Sequence, residues 1–227
     1  MKKFLAILIT VSITALQASS CFADTFSIIP DADTFINMGA VTNPPSISNA
    51  GTATRLEVKD VETGSINNDK ISYLRFNLSG VTGKVTSAIL KLTFKNVVTT
   101  TLVPKISLYK VADDVWDETS LAETWTSRTA FPLELGEKIG DDYDITVAAD
   151  KPIEIDVTEY IREEYEGDGI ATFAITGCND QRLTIEFYSK EFNTNTNYKP
   201  SLNIVTVKPL TIESSNFMDS DGTVINK

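Results

Sequence analysis

In ISYLRFNLS, residues 71–79, the apolar side chains Leu74, Phe76 and Leu78 alternate with Tyr73, Arg75 and Asn77. A period of two marks a strand with one apolar and one polar face, a pattern no helix satisfies. Two other stretches share this design. In TRLEVKD, Leu56 and Val58 oppose Arg55, Glu57 and Lys59; in RLTIEFYSKE, Leu183, Ile185 and Phe187 oppose Thr184, Glu186, Tyr188 and Lys190. Polar turns such as VETGSINNDK and GVTGK punctuate the strands. Many short alternating strands separated by polar turns predict an all-β chain, an antiparallel β-sandwich of jelly-roll-like kind, with long irregular loops and at most one short helix.

Taken in order, Phe26 and Ile28 begin a first strand that Pro30 breaks, and residues 40–54, rich in Asn, Pro, Ser and Gly, read as a surface loop. Strands follow at 55–59, 71–78, 86–95 and 104–111. Residues 111–144 are acidic, contain Trp116 and Trp125, and lack alternation; irregular structure is expected there, with a short helical turn near Ser120. A short helix is expected in IEIDVTEYIREEYEGDG, capped by Asp156 or Thr158 and ended by Gly167. ATFAITG, RLTIEFYSK and KPSLNIVTV are the last strands, and residues 208–227 form a polar tail or the start of a linker.

MKK, an apolar run and then small residues read as a secretory signal over residues 1–23. The alternative is lipid anchoring through Cys21, at the end of ASSC. The run is too short for a comfortable transmembrane helix, so no membrane span is expected. Removal of the signal leaves Cys178 as the lone cysteine, so stability must come from an ordinary core. Residues 24–207 suit one sandwich domain. A net charge of -11 argues against nucleic acid as a partner.

The chain contains no histidine, which removes imidazole acid–base chemistry, Ser-His-Asp schemes and common zinc sites. If the three alternating strands share a sheet, Arg55, Lys59, Tyr73, Arg75, Tyr188 and Lys190 form one outward surface for a polar, anionic ligand. Arginine matches a carboxylate with a planar fork, lysine supplies a mobile point charge, and tyrosine can lie against a sugar ring. Glu57 and Glu186 share these faces, so the charges can equally form a cross-strand ladder. Trp116 and Trp125 read either as sugar platforms or as anchors of the irregular segment. Asp31 and Asp33, in PDADT, are the candidate ligands of one structural calcium, with Asp113, Asp114, Asp219 and Asp221 as weaker candidates.

The ordered set LEVKD, SYLRFNLSGV, SAILKLTF, LYKVADDVWDETSLAETW, IEIDVTEYIREE and FYSKE…NYKPSLNI resembles the DNRLRE domain, a family overlapping carbohydrate-binding module family 96. The likeness covers most of residues 25–206. It implies a secreted β-sandwich, often attached to polysaccharide lyases or other surface proteins, that binds alginate-like acidic polysaccharide through basic side chains. Lys59, Arg75 and Lys190 match positions where the family pattern is basic. The family's FDLS is FNLS here, with Asn77 in place of the acid. The expectation is a non-catalytic module for a polysaccharide, more acidic than neutral, with neighbouring surface or enzyme proteins as further partners. The alternatives are a structural or adhesion module without a sugar ligand, and a small lyase using Tyr73, Arg75, Tyr188 and Lys190.

Overall fold

A computed structural model describes residues 22–38, 48–60, 69–97, 103–121, 132–178, 183–208, 217–218 and 224–225. The first sheet has the order β1 (Ala23–Ile28), β12 (Ser201–Val207), β6 (Lys84–Val97), β11 (Ile185–Tyr188) and β4 (Arg55–Val58). β9 (Pro152–Asp156) runs along the other edge of β6, because residues 89–91 pair with both β12 and β9. The second sheet has the order β3 (Ser48–Asn49), β2 (Ala32–Asn37), β5 (Lys70–Asn77), β10 (Ile170–Gly177), β7 (Lys105–Val111) and β8 (Tyr143–Asp144). All these ladders are antiparallel. The chain crosses from one sheet to the other at Pro30, which has no N–H to continue a ladder. A further two-stranded ladder pairs β13 (Phe217–Met218) with β14 (Val224–Ile225) inside the tail.

The predicted sandwich is therefore the fold. The alternation read in the sequence has the expected cause: Leu56, Val58, Leu74, Phe76, Leu90, Leu92, Phe187 and Leu202 all point between the sheets and are buried. Phe173 of the central β10 packs edge-on against Phe76 and against Tyr160, with ring centroids 5.9 and 5.1 Å away. Tyr160 belongs to the one described helix of more than a turn, α1 (Thr158–Glu166). The position before the helix is Val157, and the Asp156 carboxylate accepts from the Thr158 N–H at 2.9 Å, so the aspartate caps from one residue further out. Gly167 ends the helix as expected. The sequence IEID before it is not helical but forms β9, with Ile153 and Ile155 turned inward.

A second, smaller core lies on the far side of the second sheet. Trp116, Leu121, Leu133 and Leu135, all from the irregular acidic segment, pack over Ala32, Ile36, Ile71, Tyr73, Val111 and Ala174. β5 is thus covered on both faces. At Glu118–Leu121 the chain makes a turn whose Asp117 carboxylate accepts from the N–H groups of Thr119 and Ser120. Trp116 is buried, which makes it an anchor of the segment and not a sugar platform. Trp125, Cys21 and the rest of residues 1–21 lie outside the described residues. Among the described residues no helix is long and apolar enough to cross a membrane.

Candidate functional site

The three alternating strands do not share a sheet. β4 and β11 are neighbours, with Tyr188 opposite Arg55 and Glu186 opposite Glu57, but β5 belongs to the other sheet. The single six-residue surface expected from the sequence is therefore not formed, and its members meet different fates.

Tyr73 is fully buried, against Trp116 in the second core, and its hydroxyl oxygen accepts from the Leu133 N–H. Burial pushes its phenol well above the usual range. Arg75 is not a free fork. Its Nε and Nη2 grip the Asp31 carboxylate at 3.1–3.2 Å. Its Nη1 donates to the carbonyls of Asp114 and Trp116 at 3.0 and 2.8 Å, and the guanidinium lies 5.4 Å from the Trp116 ring. Arg75 staples the irregular segment to the sheet. Lys190 donates to Glu118 and Glu191 at 2.9 and 2.5 Å. Burial alone would lower its ammonium, yet those two carboxylates hold it above the usual range. Arg55 pairs with Glu57 and lies 3.6 Å from Glu186, which is the cross-strand ladder weighed above. Lys59 sits at the seam between the sheets, its backbone paired with that of Lys70.

Tyr188 is different. Its hydroxyl donates to the Asp150 carboxylate at 2.8 Å. Asp150 leads into β9, on the far edge of β6, so the ring spans the outer face of β6. Asp150 adopts φ 65°, the left-handed region that Asp tolerates better than most residues. Tyr188 is joined by two rings from the loop that follows β11: Phe192 at 4.3 Å and Tyr198 at 5.1 Å, with interplanar angles of 38° and 26°. All three are half-buried. The loop is set by a single 3₁₀ turn, Thr196–Tyr198, capped by Asn195.

Basic side chains flank the rings. Lys91, outward on β6 between inward Leu90 and Leu92, donates to the Asn197 carbonyl at 2.9 Å. Lys199, next to Tyr198, donates to the Asn193 side chain at 3.0 Å. Neither makes an ion pair among the described residues, although Glu154 stands opposite Lys91 on β9. Further along β6, Lys95 pairs with Glu186 at 3.3 Å. Phe192, Tyr198, Lys91 and Lys199 were missed by the strand-based reading. A signal was present: FNTNTNY sets two aromatic rings in a run of small polar residues, where no core demands them.

Asp31 and Asp33, paired in the sequence as calcium ligands, separate. Asp31 serves Arg75. Asp33 points inward from β2 and stands with Glu118 and Glu191, one carboxylate oxygen of each lying within 4.8 Å of the others. Burial first, and then the charge of Glu191, pushes the Asp33 carboxyl up to about 8 against the pull of the Lys190 N–H. Of the weaker candidates, Asp114 accepts from the Thr172 hydroxyl, and Asp219 and Asp221 lie outside the described residues.

The model of carbohydrate-binding module family 96 matches residues 24–206, almost all of the sandwich. The chain belongs to carbohydrate-binding module family 96. No curated protein matches it. Membership makes it a carbohydrate-binding module, and sugars are met by exposed aromatic and hydrogen-bonding side chains. The FNLS departure is conservative in effect: the Asn77 side-chain oxygen accepts from the Ser79 N–H at 2.9 Å, a bond that an aspartate can equally accept.

Proposed function

We propose that this module binds an acidic polysaccharide, without catalysis, on the outer face of the first sheet, over Tyr188, Phe192 and Tyr198. The observation that carries this reading is the stack of three half-buried rings bracketed by Lys91 and Lys199, two lysines without a carboxylate partner among the described residues. Elsewhere the prominent cations are neutralised in place, as Arg55, Arg75 and Lys190 show.

Each part has a distinct task. A pyranose ring offers C–H groups that pack on an aromatic face, and the tyrosine hydroxyls reach its polar edge. Lysine ammonium groups, each a point charge on a flexible stem, meet uronate carboxylates along the polymer. The Asp150 bond fixes the Tyr188 ring before the ligand arrives, which lowers the ordering cost of binding. The reading of residues 1–23 as an export signal supports an encounter outside the cell. With Tyr73 buried and both Arg75 and Lys190 engaged in structural bonds, the tyrosine and basic groups of the lyase alternative are not assembled into one site.

Binding to a panel of alginate, pectin, heparin-like and neutral polymers, at low and high salt, tests the proposal. Loss of one stacked ring in Tyr198→Ala should weaken acidic-polymer binding about tenfold, a cost of about 1.4 kcal/mol. The Lys91→Ala/Lys199→Ala pair should weaken it at low salt and flatten its salt dependence. Salt-independent binding to a neutral polymer overturns the acidic specificity. No binding to any polymer by a folded protein favours the structural or adhesion module.

A further inference from the structure

Asp33 of β2, Glu118 of the irregular segment and Glu191 just after β11 converge. They come from three distant parts of the chain, and the backbone brings them together deliberately. The Asp33 N–H donates to Glu118 Oε2 at 2.9 Å, and the Lys190 N–H donates to Asp33 Oδ2 at 2.8 Å. Gly51 lets the Glu118 carbonyl come so close that any Cβ there would stand 2.1 Å from its oxygen.

The charges do not balance. Three carboxyl groups share one ammonium, that of Lys190, which bonds Glu118 Oε1 and Glu191 Oε1, and even with Asp33 protonated two carboxylates remain against it. Asp33 is 1 % exposed. Its Oδ1 and the Oε2 of Glu191 are both buried and have no hydrogen-bond partner. Buried carboxylate oxygens without donors are costly, and two of them in one cluster call for a proton or a cation between them. Oxygen ligands without nitrogen or sulfur suit a hard cation. Calcium takes such oxygens at about 2.3–2.6 Å, so two ligands on one ion stand at most about 5 Å apart. The spacing of at most 4.8 Å here meets that limit.

We propose that Asp33, Glu118 and Glu191 bind one calcium ion that ties β2, the irregular segment and the loop after β11 together. The ion replaces the expected Asp31–Asp33 pair with a different set, and its binding does not rest on the glycan reading. It has a consequence for that reading all the same. Glu191 directly precedes Phe192, so the ion holds the root of the loop that carries two of the three rings.

The test uses the full chain, treated with EDTA, dialysed, and titrated with CaCl₂ in the absence of any polysaccharide. Calorimetry should show one saturable site. The melting temperature at a hundredfold excess over Kd should rise by about 5–10 °C relative to EDTA. Both effects should vanish in Asp33→Asn and Glu191→Gln, while in EDTA Asp33→Asn melts no lower than the parent. Because either variant can fail to fold, TbCl₃ titration of the parent gives a second reading. Trp116, two residues before Glu118, should sensitise terbium emission, and CaCl₂ should quench it by displacement. No heat, no thermal shift and no calcium-displaceable emission in the parent overturns the proposal, as does a calcium response retained in both folded variants.

Discussion

Arg75→Ala separates a structural arginine from a ligand-binding one. The wild-type guanidinium makes two bonds to the carbonyls of Asp114 and Trp116, a forked pair with Asp31, and a contact with the Trp116 ring. Asp31 is 41 % exposed at its side chain, so the ion pair itself contributes at most about 1 kcal/mol. The two carbonyl bonds from a charged donor contribute about 1.5 kcal/mol each at the low end of their range. The ring contact adds about 0.5–1 kcal/mol. These effects are coupled, and together they give a loss of about 4 kcal/mol. For a chain of this length that lowers the melting temperature by about 8–16 °C. Thermal and urea denaturation followed by tryptophan fluorescence measure it, since Trp116 reports directly on the stapled segment. Polysaccharide binding per folded molecule, measured well below the midpoint, should be unchanged. An Arg75→Ala protein that melts within about 2 °C of the parent, a shift of about 1 kcal/mol or less, and yet loses polysaccharide binding would refute this reasoning.

Two further outcomes are expected. Gly51→Ala places a methyl group 2.1 Å from the Glu118 carbonyl oxygen, a backbone atom that cannot swing aside, and should destabilise the chain by about 1–3 kcal/mol in urea melts. Glu57 is nearly buried; burial raises its carboxyl, but Lys70 and Arg55 outweigh that and hold it below the usual range. A depressed folded value contributes stability that is present above the unfolded value of about 4.3 and lost as pH falls through the folded one. Glu57→Gln should therefore flatten the acid limb of the stability–pH curve below about pH 5, and an unchanged limb would assign that loss to other carboxylates.

Much of the fold was legible because a sandwich strand alternates for a simple reason: Leu74 and Phe76 face the core and their neighbours do not. Outwardness was harder to read. Tyr73 and Arg75 look like surface residues in a period-two pattern, but a second layer covers that side of the sheet, built from Trp116, Leu121, Leu133 and Leu135 in a segment without periodicity. Tyrosine and arginine are amphipathic enough to accept either environment. Strand partners are a non-local property, so nothing in TRLEVKD or ISYLRFNLS shows that β4 joins β11 while β5 joins β2 and β10. β9 was hidden because its five residues run straight into a helix and share its acidic composition. The metal-like cluster was half legible. Asp33 stood out in PDADT, whereas Glu118 and Glu191 lie 85 and 158 positions away and were ordinary surface acids in the sequence.

The claim that the rings of the first sheet meet the ligand is tested most directly by ¹⁵N–¹H NMR of the labelled module, titrated with a short oligouronate. Amide shifts should change for residues 91–95 of β6, for Tyr188, and for the loop from Phe192 to Lys199, and Tyr198→Ala should require about tenfold more oligouronate for the same changes. Changes confined to Asp31, Arg75 and residues 114–118 instead would place the ligand on the covered sheet and contradict the account.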